Sequence, residues 1–567
     1  MTTEQNTYRQ ESLEDIEFTY NIDGGQWDEE DRKNRATKRR PCLTHNKLRK
    51  FVAQVANRER DNRIALKAKG VDDLADPVVA DIMTGYMHSV EYQSEADIVY
   101  ASAGEQALAG GFGYWRLLTK YTDDSFNQEI FIKHIENPFS VYLDPKRNYG
   151  FIREAMKVDE FKERWPNADT TDFDLQDVGE EYTLWYEENT IFIAEYFYKE
   201  RYKRTLAEVV SETDIDGHPE IVEISEKLTE EMLANNGYKI LRKRTADSHK
   251  VKWCKITGHE VLEESEWVGK DIPIIEVEGD HINVAGKVYK RSLIRDGKDP
   301  QRMYNYWLTS LTEKVALAPK APYMMTPEQI AGHQTQWDDA NVENYPYLIY
   351  NQTVAGAPQR SDPPTIDSGA MAMLNIGDRD IQDGLGMFES SLGQKSNERT
   401  GKAIIARSSR SDMGVYHFPD NLRRAILKTG RMLIDIIPKI IDTQRMLRIR
   451  SYEGEETLVE VNQTIIDPMG GQIMVNDLSL GKYDIEADVR IWSTRREETA
   501  MAMRETMQYA PEIAPLIVDL VFKYSDLPGA KEIESRVKEY MQNKQQNEAI
   551  KAGGGQPQQG GNNDGRS

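Results

Sequence analysis

The chain contains few of the residues that build disulfide-bonded or metal-binding proteins. Among its 567 residues there are two cysteines, Cys42 and Cys254, and nine histidines. Two cysteines do not make a disulfide framework, and they form a zinc site only with several histidines beside them. We therefore expect two free thiols in a reducing compartment, with no bound metal or cofactor.

Long apolar runs and leader sequences are also missing. No run of about 18 apolar residues, the length that suggests a membrane-spanning helix, occurs in the chain. Residues 1–17 have neither a basic segment nor an apolar core, so they do not resemble a secretion signal. We expect a protein that spans no membrane and stays in the compartment where it is made.

Motifs for nucleotide binding and catalysis are absent or incomplete. No GxxxxGK[ST] sequence exists, which excludes a P-loop ATPase. Residues 110–113, GGFG, lack the GxGxxG spacing, and we interpret them as a tight turn from helix to strand. His134 with Glu136, and His259 with Glu260, are the nearest acid/base or metal pairs, but scattered histidines produce such neighbours by chance. We expect no catalytic residue.

The formal net charge is −23, from 95 acidic and 72 basic residues. A protein that grips DNA normally presents a basic footprint, and this chain as a whole does not. Solubility explains the excess of acidic residues at least as well as a surface that repels DNA does. The basic run from Arg32 to Arg40 follows acidic Asp28 to Asp31, which favours an exposed charged face or a subunit contact over nucleic-acid binding.

The length predicts about three to four folding units. Residues 1–285 mix helical and strand patterns and predict an α+β region. Helical spacing returns over 403–450, interrupted by prolines that must cap or kink the helix, and is followed by predicted strands at 457–466 and 483–491 and further helices to 542. Beyond Gln542 the sequence is low-complexity, so we expect disorder.

A helical hairpin with a knob at its tip is the most informative pattern. Asp299 as N-cap and Pro300 as first residue predict the start of a helix. Prolines at 319 and 322 end it, and after a compact insert a second apolar pattern runs from Met371 to Leu392. The first helix carries one apolar stripe at a spacing of four, formed by Trp307, Leu311 and Val315.

The knob has its own helix and strand signals. Thr326 and Gln329 form a capping box around a proline, which predicts a short helix through Trp337, and residues 345–351, YPYLIYN, predict a strand. Three aromatic residues either face a neighbouring subunit or pack locally under the knob, and the sequence leaves both alternatives open. They are Tyr323, Trp337 and Tyr345.

The order of these patterns resembles the portal proteins of short-tailed double-stranded-DNA phages over about residues 15–540. The residues that carry the resemblance are Gln26-Trp27-Asp28, Arg40 to Arg63, Gly110 to Tyr121, Glu136-Asn137-Pro138, Leu143-Asp144-Pro145, Asp299 to Tyr306, Pro419-Asp420-Asn421 and Asn476 to Val489.

The resemblance implies an α+β multidomain portal fold that forms a ring of twelve copies. Its parts would be a wing at 1–285, stem helix 1 at 286–318, a clip at 319–366, stem helix 2 at 367–392, a tunnel loop at 393–402, a long kinked helix with the rest of the wing at 403–499, a crown at 500–542 and a tail at 543–567. It further implies a place at the capsid vertex of the virion, after synthesis in the host bacterial cytoplasm. Expected partners are major capsid and scaffolding proteins, the terminase large subunit, tail-connector proteins and the double-stranded DNA that passes through the channel.

Residue roles follow from the same resemblance. Lys395, Arg399 and Lys402 would line the bore in the tunnel loop, although such a run is more often a solvated surface loop. The Trp307 stripe would bury against the other stem helix or a neighbouring subunit, and the three knob aromatics would form a docking surface. Some longer relatives continue into a helical barrel, and no heptad-rich extension exists here. The alternative from another class is a metal-dependent nuclease of phage origin.

Overall fold

The computed structural model divides the chain into two compact units. One consists of Met1–Arg60 and Ala65–Asp488, and the other of Asp61–Ile64 and Val489–Ser567. The described residues are 2–61, 64–122, 126–168, 186–187, 190–211, 220–224, 229–235, 237–258, 260–317, 322–354, 356–362, 368–387, 412–451, 455–466, 472–489, 502–509, 521 and 536. In the second unit the structure describes a helical stretch at 502–509, which lies within the predicted crown.

Helices dominate the amino-terminal part and the hairpin. The α-helices numbered here are α1 (Thr2–Tyr20), α2 (Glu29–Thr37), α3 (Leu48–Asp61), α4 (Pro77–Gln93), α5 (Ala96–Gly110), α6 (Val158–Arg164), α7 (Glu230–Asn235), α8 (Lys298–Leu317), α9 (Pro327–Ile330), α10 (Gln334–Asp338), α11 (Ser368–Leu385) and α12 (His417–Ile440). Short 3₁₀ turns lie at Ile22–Gly24, Pro138–Ser140, Arg295–Gly297 and Asp412–Val415.

The strands form several small sheets and one larger sheet. They are β1 (Ile64–Gly70), β2 (Phe112–Tyr121), β3 (Gln128–His134), β4 (Val141–Leu143), β5 (Tyr149–Lys157), β6 (Tyr186–Glu187), β7 (Thr190–Ser211), β8 (Glu220–Ile224), β9 (Tyr238–Ile256), β10 (Val261–Trp267), β11 (Ile274–Glu278), β12 (Asp280–Val284), β13 (Lys287–Arg291), β14 (Tyr323–Met324), β15 (Gln359–Arg360), β16 (Arg445–Arg450), β17 (Glu456–Val461), β18 (Gln463–Ile466), β19 (Gln472–Val475) and β20 (Tyr483–Val489).

The larger sheet has the order β10-β9-β7-β5-β4, and β6 and β8 also pair with β7. A three-stranded sheet has the order β11-β2-β3. The remaining strands form two-stranded sheets, which are β1–β20, β12–β13, β14–β15, β16–β17 and β18–β19. The mixed α/β architecture agrees with the predicted fold class. β7 and β9 are 22 and 19 residues long and pair from Ala194↔Ile256 to Ser211↔Tyr238. We call these two strands the arm.

The turn at residues 110–113 joins a helix to a strand, as predicted. α5 ends at Gly110, and Gly111 adopts a φ of +90°, a left-handed conformation that glycine enters without a Cβ penalty. The backbone of Arg291 lies 3.0 Å from where a Cβ on Gly111 would stand. β2 begins at Phe112, so the glycines serve chain reversal and close packing.

Two apolar clusters hold the first unit together. One lies between the two main sheets and includes Phe112, Phe197 and Val251. The other joins α1, α3, α5, α11 and α12 and includes Phe51 and Ile381. Because α11 is the second helix of the hairpin, this second cluster fixes the base of the hairpin to the α-helical part of the body.

A buried carboxylate ties the amino-terminal helix to the first helix of the hairpin. Asp15 of α1 has no exposed surface. Its Oδ2 accepts hydrogen bonds from Arg295 Nε at 2.7 Å and Ser292 Oγ at 2.7 Å, and its Oδ1 lies 2.9 Å from Lys298 Nζ. Lys298 is the first residue of α8, so the cluster sets where this helix leaves the body.

Several predicted boundaries were wrong for local reasons. Asp299 and Pro300 lie inside the first turn of α8, because the 3₁₀ turn Arg295–Gly297 runs directly into the helix. The helix predicted over 403–450 ends at Ile440, and Arg445–Arg450 is strand β16 paired with β17. The sequence required Pro419 and Pro438 to cap or kink this helix, and both lie inside α12, Pro419 in its first turn and Pro438 in its last.

Candidate subunit-contact surfaces

The two hairpin helices run antiparallel and approach closely. A Cβ on Gly384 would lie 3.1 Å from the carbonyl oxygen of Asp296, and one on Gly377 would lie 3.6 Å from the Cβ of Tyr304. Moving eight residues forward, from Asp296 to Tyr304, therefore matches moving seven residues backward, from Gly384 to Gly377. Glycine at these positions lets the backbones pack closely along the hairpin.

The predicted Trp307 stripe is divided between the inside and the outside of the single chain. Leu311 is buried, with 7% of its surface exposed. Trp307 is half-buried, with its ring 6.0 Å from that of Tyr306 in an edge-on arrangement. Val315 is 50% exposed. Leu311 therefore contributes to packing within the chain, whereas Val315 is available to another surface.

The face of α8 that is most deeply buried is polar, and sequence reasoning did not find it. Gln301, Asn305 and Thr309 follow at a spacing of four, and none has exposed surface. Their side chains bind an extended segment, residues 43–47, which we call the strap. The amides of Leu43, His45 and Lys47 donate to Thr309 Oγ1 at 3.2 Å, Asn305 Oδ1 at 3.0 Å and Gln301 Oε1 at 3.0 Å, respectively.

This arrangement is a ladder, because every second residue of an extended chain meets every fourth residue of a helix. Rises of about 3.3 Å per strand residue and 1.5 Å per helix residue make these two repeats nearly equal. Asn305 also donates to Gln26 Oε1 at 2.9 Å. The spacing of four between Gln301, Asn305 and Thr309 is visible in the sequence, but polar stripes on helices usually face solvent. Only the position of the strap shows that this stripe binds a backbone segment.

The basic run at residues 32–40 continues the same contact. Glu313, four residues beyond Thr309, lies 2.7 Å from Arg35 Nη2 and 3.0 Å from Arg40 Nη2. Both guanidinium groups therefore bind a carboxylate of α8 in the same chain. For these two residues the structure gives an intramolecular contact instead of the nucleic-acid or subunit contact considered from the sequence.

Large apolar side chains remain exposed on both hairpin helices of the single chain. Each has between 42 and 52% of its surface exposed. They are Met303, Tyr306, Val315, Met371, Met373 and Ile376. An apolar surface of this extent on a protruding element is typical of a protein contact.

The knob at the tip keeps part of its predicted structure. The capping box of Thr326 and Gln329 is present and starts α9. The helix breaks at Gly332, whose φ is +87°, and resumes as α10. Tyr323 and Trp337 pack on each other, with ring centroids 5.3 Å apart, as in the local-packing alternative. Tyr345 is half-buried.

The strand predicted at 345–351 does not pair with another strand among the described residues, so that prediction was wrong. The segment is instead held along one edge. Gln336 Nε2 donates to the carbonyl of Tyr347 at 2.9 Å, Trp337 Nε1 donates to that of Ile349 at 2.7 Å, and the amide of Asn351 donates to Gln329. The opposite edge is open in the described chain, and Tyr347 is 69% exposed.

Other predicted sites lie elsewhere or outside the described residues. Lys395, Arg399 and Lys402 lie outside them, as do His259 and the tail from 543. His134 Nε2 is 3.3 Å from Gln106 Oε1, and burial lowers its pKa. The described residues contain no group of three or more His, Cys, Asp or Glu placed to hold a metal ion. Within the same residues, no helix is long and apolar enough to cross a membrane.

The described chain combines a mixed α/β body with a helical hairpin, and both helices of the hairpin expose apolar side chains. The sequence model of the phage P22-like portal protein family matches residues 2–563, and the chain belongs to that family. It is also 23% identical over 529 residues to the portal protein of Acyrthosiphon pisum secondary endosymbiont phage 1. The aligned residues cover 88% of this chain and 73% of that protein. Membership of a structural family favours the portal over the nuclease alternative.

Proposed function

We propose that this portal protein assembles as a ring of twelve copies at one capsid vertex and provides the channel for genome packaging and ejection. The observation that supports the ring is the exposed apolar surface on both helices of the hairpin. Left in water, such a surface would promote non-specific association, and a neighbouring copy is its natural cover. A head-to-tail contact that closes on itself generates a ring.

In this proposal α8 and α11 are the stem, the knob is the clip, and the sheets with α12 are the wing. The clip would dock first the terminase and then tail-connector proteins. Its open edge at residues 345–351, with Tyr347 and Ile349 exposed, supports this role better than Tyr323 and Trp337, which already contact each other. The capsid and scaffolding proteins would meet the wing, and the hairpins would surround the DNA.

The stem contact can be tested at a residue that the single chain does not bury. Val315→Asp should leave the free energy of unfolding unchanged within about 0.5 kcal/mol, because Val315 is half-exposed. It should nevertheless prevent or weaken ring assembly, because a charge would enter an apolar contact between copies. Sedimentation velocity on the variant should show single chains or small assemblies in place of rings.

The matched control is Ala316→Asp, which adds the same charge at the neighbouring exposed position. Adjacent helix residues lie about 100° apart around the axis, so the control charge points away from the Val315 contact. Leu311→Asp would not serve, because Leu311 is buried within the chain itself. Normal rings from Val315→Asp would contradict the stem assignment.

We also propose that residues 393–402 form the tunnel loop and that Lys395, Arg399 and Lys402 contact DNA phosphates in the bore. Repeated around a ring, three cations per copy would slow the DNA without holding it. The triple change to serine should leave ring assembly intact and should flatten the salt dependence of genome retention in assembled particles. Packaging and retention like those of the parent at every salt concentration would show these residues to be ordinary solvated surface.

A further inference from the structure

One surface of this acidic chain is locally basic, and it begins on the arm. Lys199, Arg201 and Lys203 alternate along β7 and therefore share one face of the arm. The side chains of Arg201 and Lys203 are exposed and make no ion pair with another described residue. Asp247 lies opposite Lys203 in the register of β9. About 13 Å of strand separates Lys199 from Lys203.

The loop that follows β10 carries the basic face from the arm to α12. Lys199 Nζ lies 2.7 Å from Asp271 of this loop. Lys270 donates its backbone amide to Asp435 Oδ2 of α12 at 2.8 Å, and its ammonium lies 3.4 Å from Asp435 Oδ1. Lys439 Nζ lies 3.0 Å from Asp435 Oδ1. Three elements therefore form one continuous surface, which we call the basic patch.

Cations outnumber carboxylates on the basic patch. Six cations lie beside three carboxylates, an excess of three positive charges in a chain whose net charge is −23. Arg147 and Glu276, which also act on Lys428, add one charge of each sign and leave this excess unchanged. The cations are Lys199, Arg201, Lys203, Lys270, Lys428 and Lys439, and the carboxylates are Asp247, Asp271 and Asp435.

Lys428 is a half-buried cation of the basic patch and interacts electrostatically with Asp271 and Lys199. Burial, with a further contribution from the nearby Arg147, lowers the pKa of Lys428 to about 8. Asp271 and Glu276 act in the opposite direction and do not cancel the effect. An anion bound beside Lys428 would favour its charged form.

We propose that the basic patch binds the phosphate backbone of double-stranded DNA outside the channel, as a second DNA contact of the wing. The inference rests on the proposed portal function, which brings duplex DNA to this protein. The patch runs about 13 Å along the arm and, from Lys428 to Lys439, about 17 Å along α12. It is therefore long enough to meet several consecutive phosphates of a duplex.

The acidity of the whole chain does not oppose such a contact at physiological salt. Exposed charges more than about 10 Å apart are largely screened at 0.1 M salt, so a phosphate at the patch responds mainly to the patch itself. The arrangement uses lysine and arginine side chains on a strand, a loop and a helix, and contacts from such side chains to phosphates carry no sequence information. It therefore predicts binding that is independent of DNA sequence and sensitive to salt.

The test is anisotropy of a fluorescein-labelled duplex of about 30 base pairs of mixed sequence, titrated with the purified full chain between about 50 and 200 mM salt. The patch variant is Arg201→Ser, Lys203→Ser and Lys270→Ser, all exposed side chains. Its affinity at the lowest salt should fall about tenfold or more. The slope of log K against log salt should fall by roughly 2 to 3, because each lost phosphate contact removes about 0.9.

The matched control is Lys120→Ser, Lys162→Ser and Lys287→Ser, which removes the same charge at exposed positions on other elements. Its affinity should stay within about twofold of the parent. Equal losses in the two triple variants would overturn the proposal, since net charge alone would then explain the binding. The absence of duplex binding by the parent would also overturn it, as would binding of polyglutamate in place of DNA, which would indicate an acidic protein partner.

Failure of this inference is distinguishable from failure of the proposed function. Both triple variants keep the stem and the tunnel loop, so ring formation, seen by microscopy, should be the same in each. Rings with no difference in DNA binding would reject the basic patch and keep the portal. A clear difference in DNA binding between the two triple variants, without rings in either, would keep the basic patch and reject the portal assignment.

Discussion

Replacing Asp15 by alanine is expected to lower the free energy of unfolding by about 3–5 kcal/mol, because it leaves two buried cations without their shared carboxylate. Arg295 and Lys298 have 18 and 12% of their side-chain surface exposed, so water does not replace the lost partner. Ser292 also loses its acceptor at 2.7 Å. Urea denaturation followed by circular dichroism measures the change.

Glu14→Ala is the matched control for this experiment. Glu14 is the preceding residue of α1, is largely exposed, and approaches Lys298 only to 4.0 Å. Its loss should cost less than about 0.5 kcal/mol. If the two alanine variants unfold at the same urea concentration, the buried cluster does not anchor α1 to the base of the hairpin.

The second large effect concerns Glu276, a buried carboxylate of β11 that binds cations from two other segments. Arg147 Nη2 lies 3.1 Å from its Oε2, Tyr114 Oη donates to its Oε1 at 2.7 Å, and Lys290 Nζ also donates to Oε1. Burial alone would raise the pKa of Glu276, but Lys290 and Arg147 outweigh it and lower that pKa from 4.5 to about 2. The ionised form is therefore the stabilising one.

The sign of the pH dependence follows from this lowered pKa. The contribution of Glu276 is fully present above pH 4.5, the pKa in the unfolded chain, and is lost as pH falls toward 2. Its size is about 3 kcal/mol, at about 1.4 kcal/mol for each unit of pKa. Glu276→Gln should therefore be destabilised by about that amount at pH 7, and the difference from the parent should shrink between pH 4.5 and pH 2.

Glu264→Gln provides the comparison, because the Glu264 side chain is 55% exposed and its carboxylate comes no closer than 3.8 Å to the ammonium of Lys252. It should follow the parent at every pH. A difference in the free energy of unfolding between Glu276→Gln and the parent that stays constant from pH 7 to pH 2 would contradict the lowered pKa of Glu276.

Local signals predicted much of the fold. The glycine pair before Phe112 required a turn from helix to strand, and a capping box at Thr326 required a helix start, since each pattern satisfies specific backbone groups. Apolar alternation placed the main strands of the amino-terminal half, including β3, β7 and β11. The hairpin itself followed from two amphipathic patterns separated by prolines.

Contacts between segments distant in sequence were not predictable in the same way. Asn305 and Thr309 read as an ordinary polar face of a helix until the strap lies along it, because their partners are more than 250 residues earlier. The helix predicted up to 450 ends at Ile440 because Arg445–Arg450 pairs with β17, so the ladder overrides helical spacing. The basic patch likewise exists only because an arm, a loop and a helix meet.

Imaging the purified full-length protein by negative-stain electron microscopy tests the central claim most directly. The portal assignment predicts hollow rings with twelvefold symmetry, whose population falls in Val315→Asp and persists in Ala316→Asp. Single compact particles without a central opening, at concentrations where the chain is folded by circular dichroism, would contradict it.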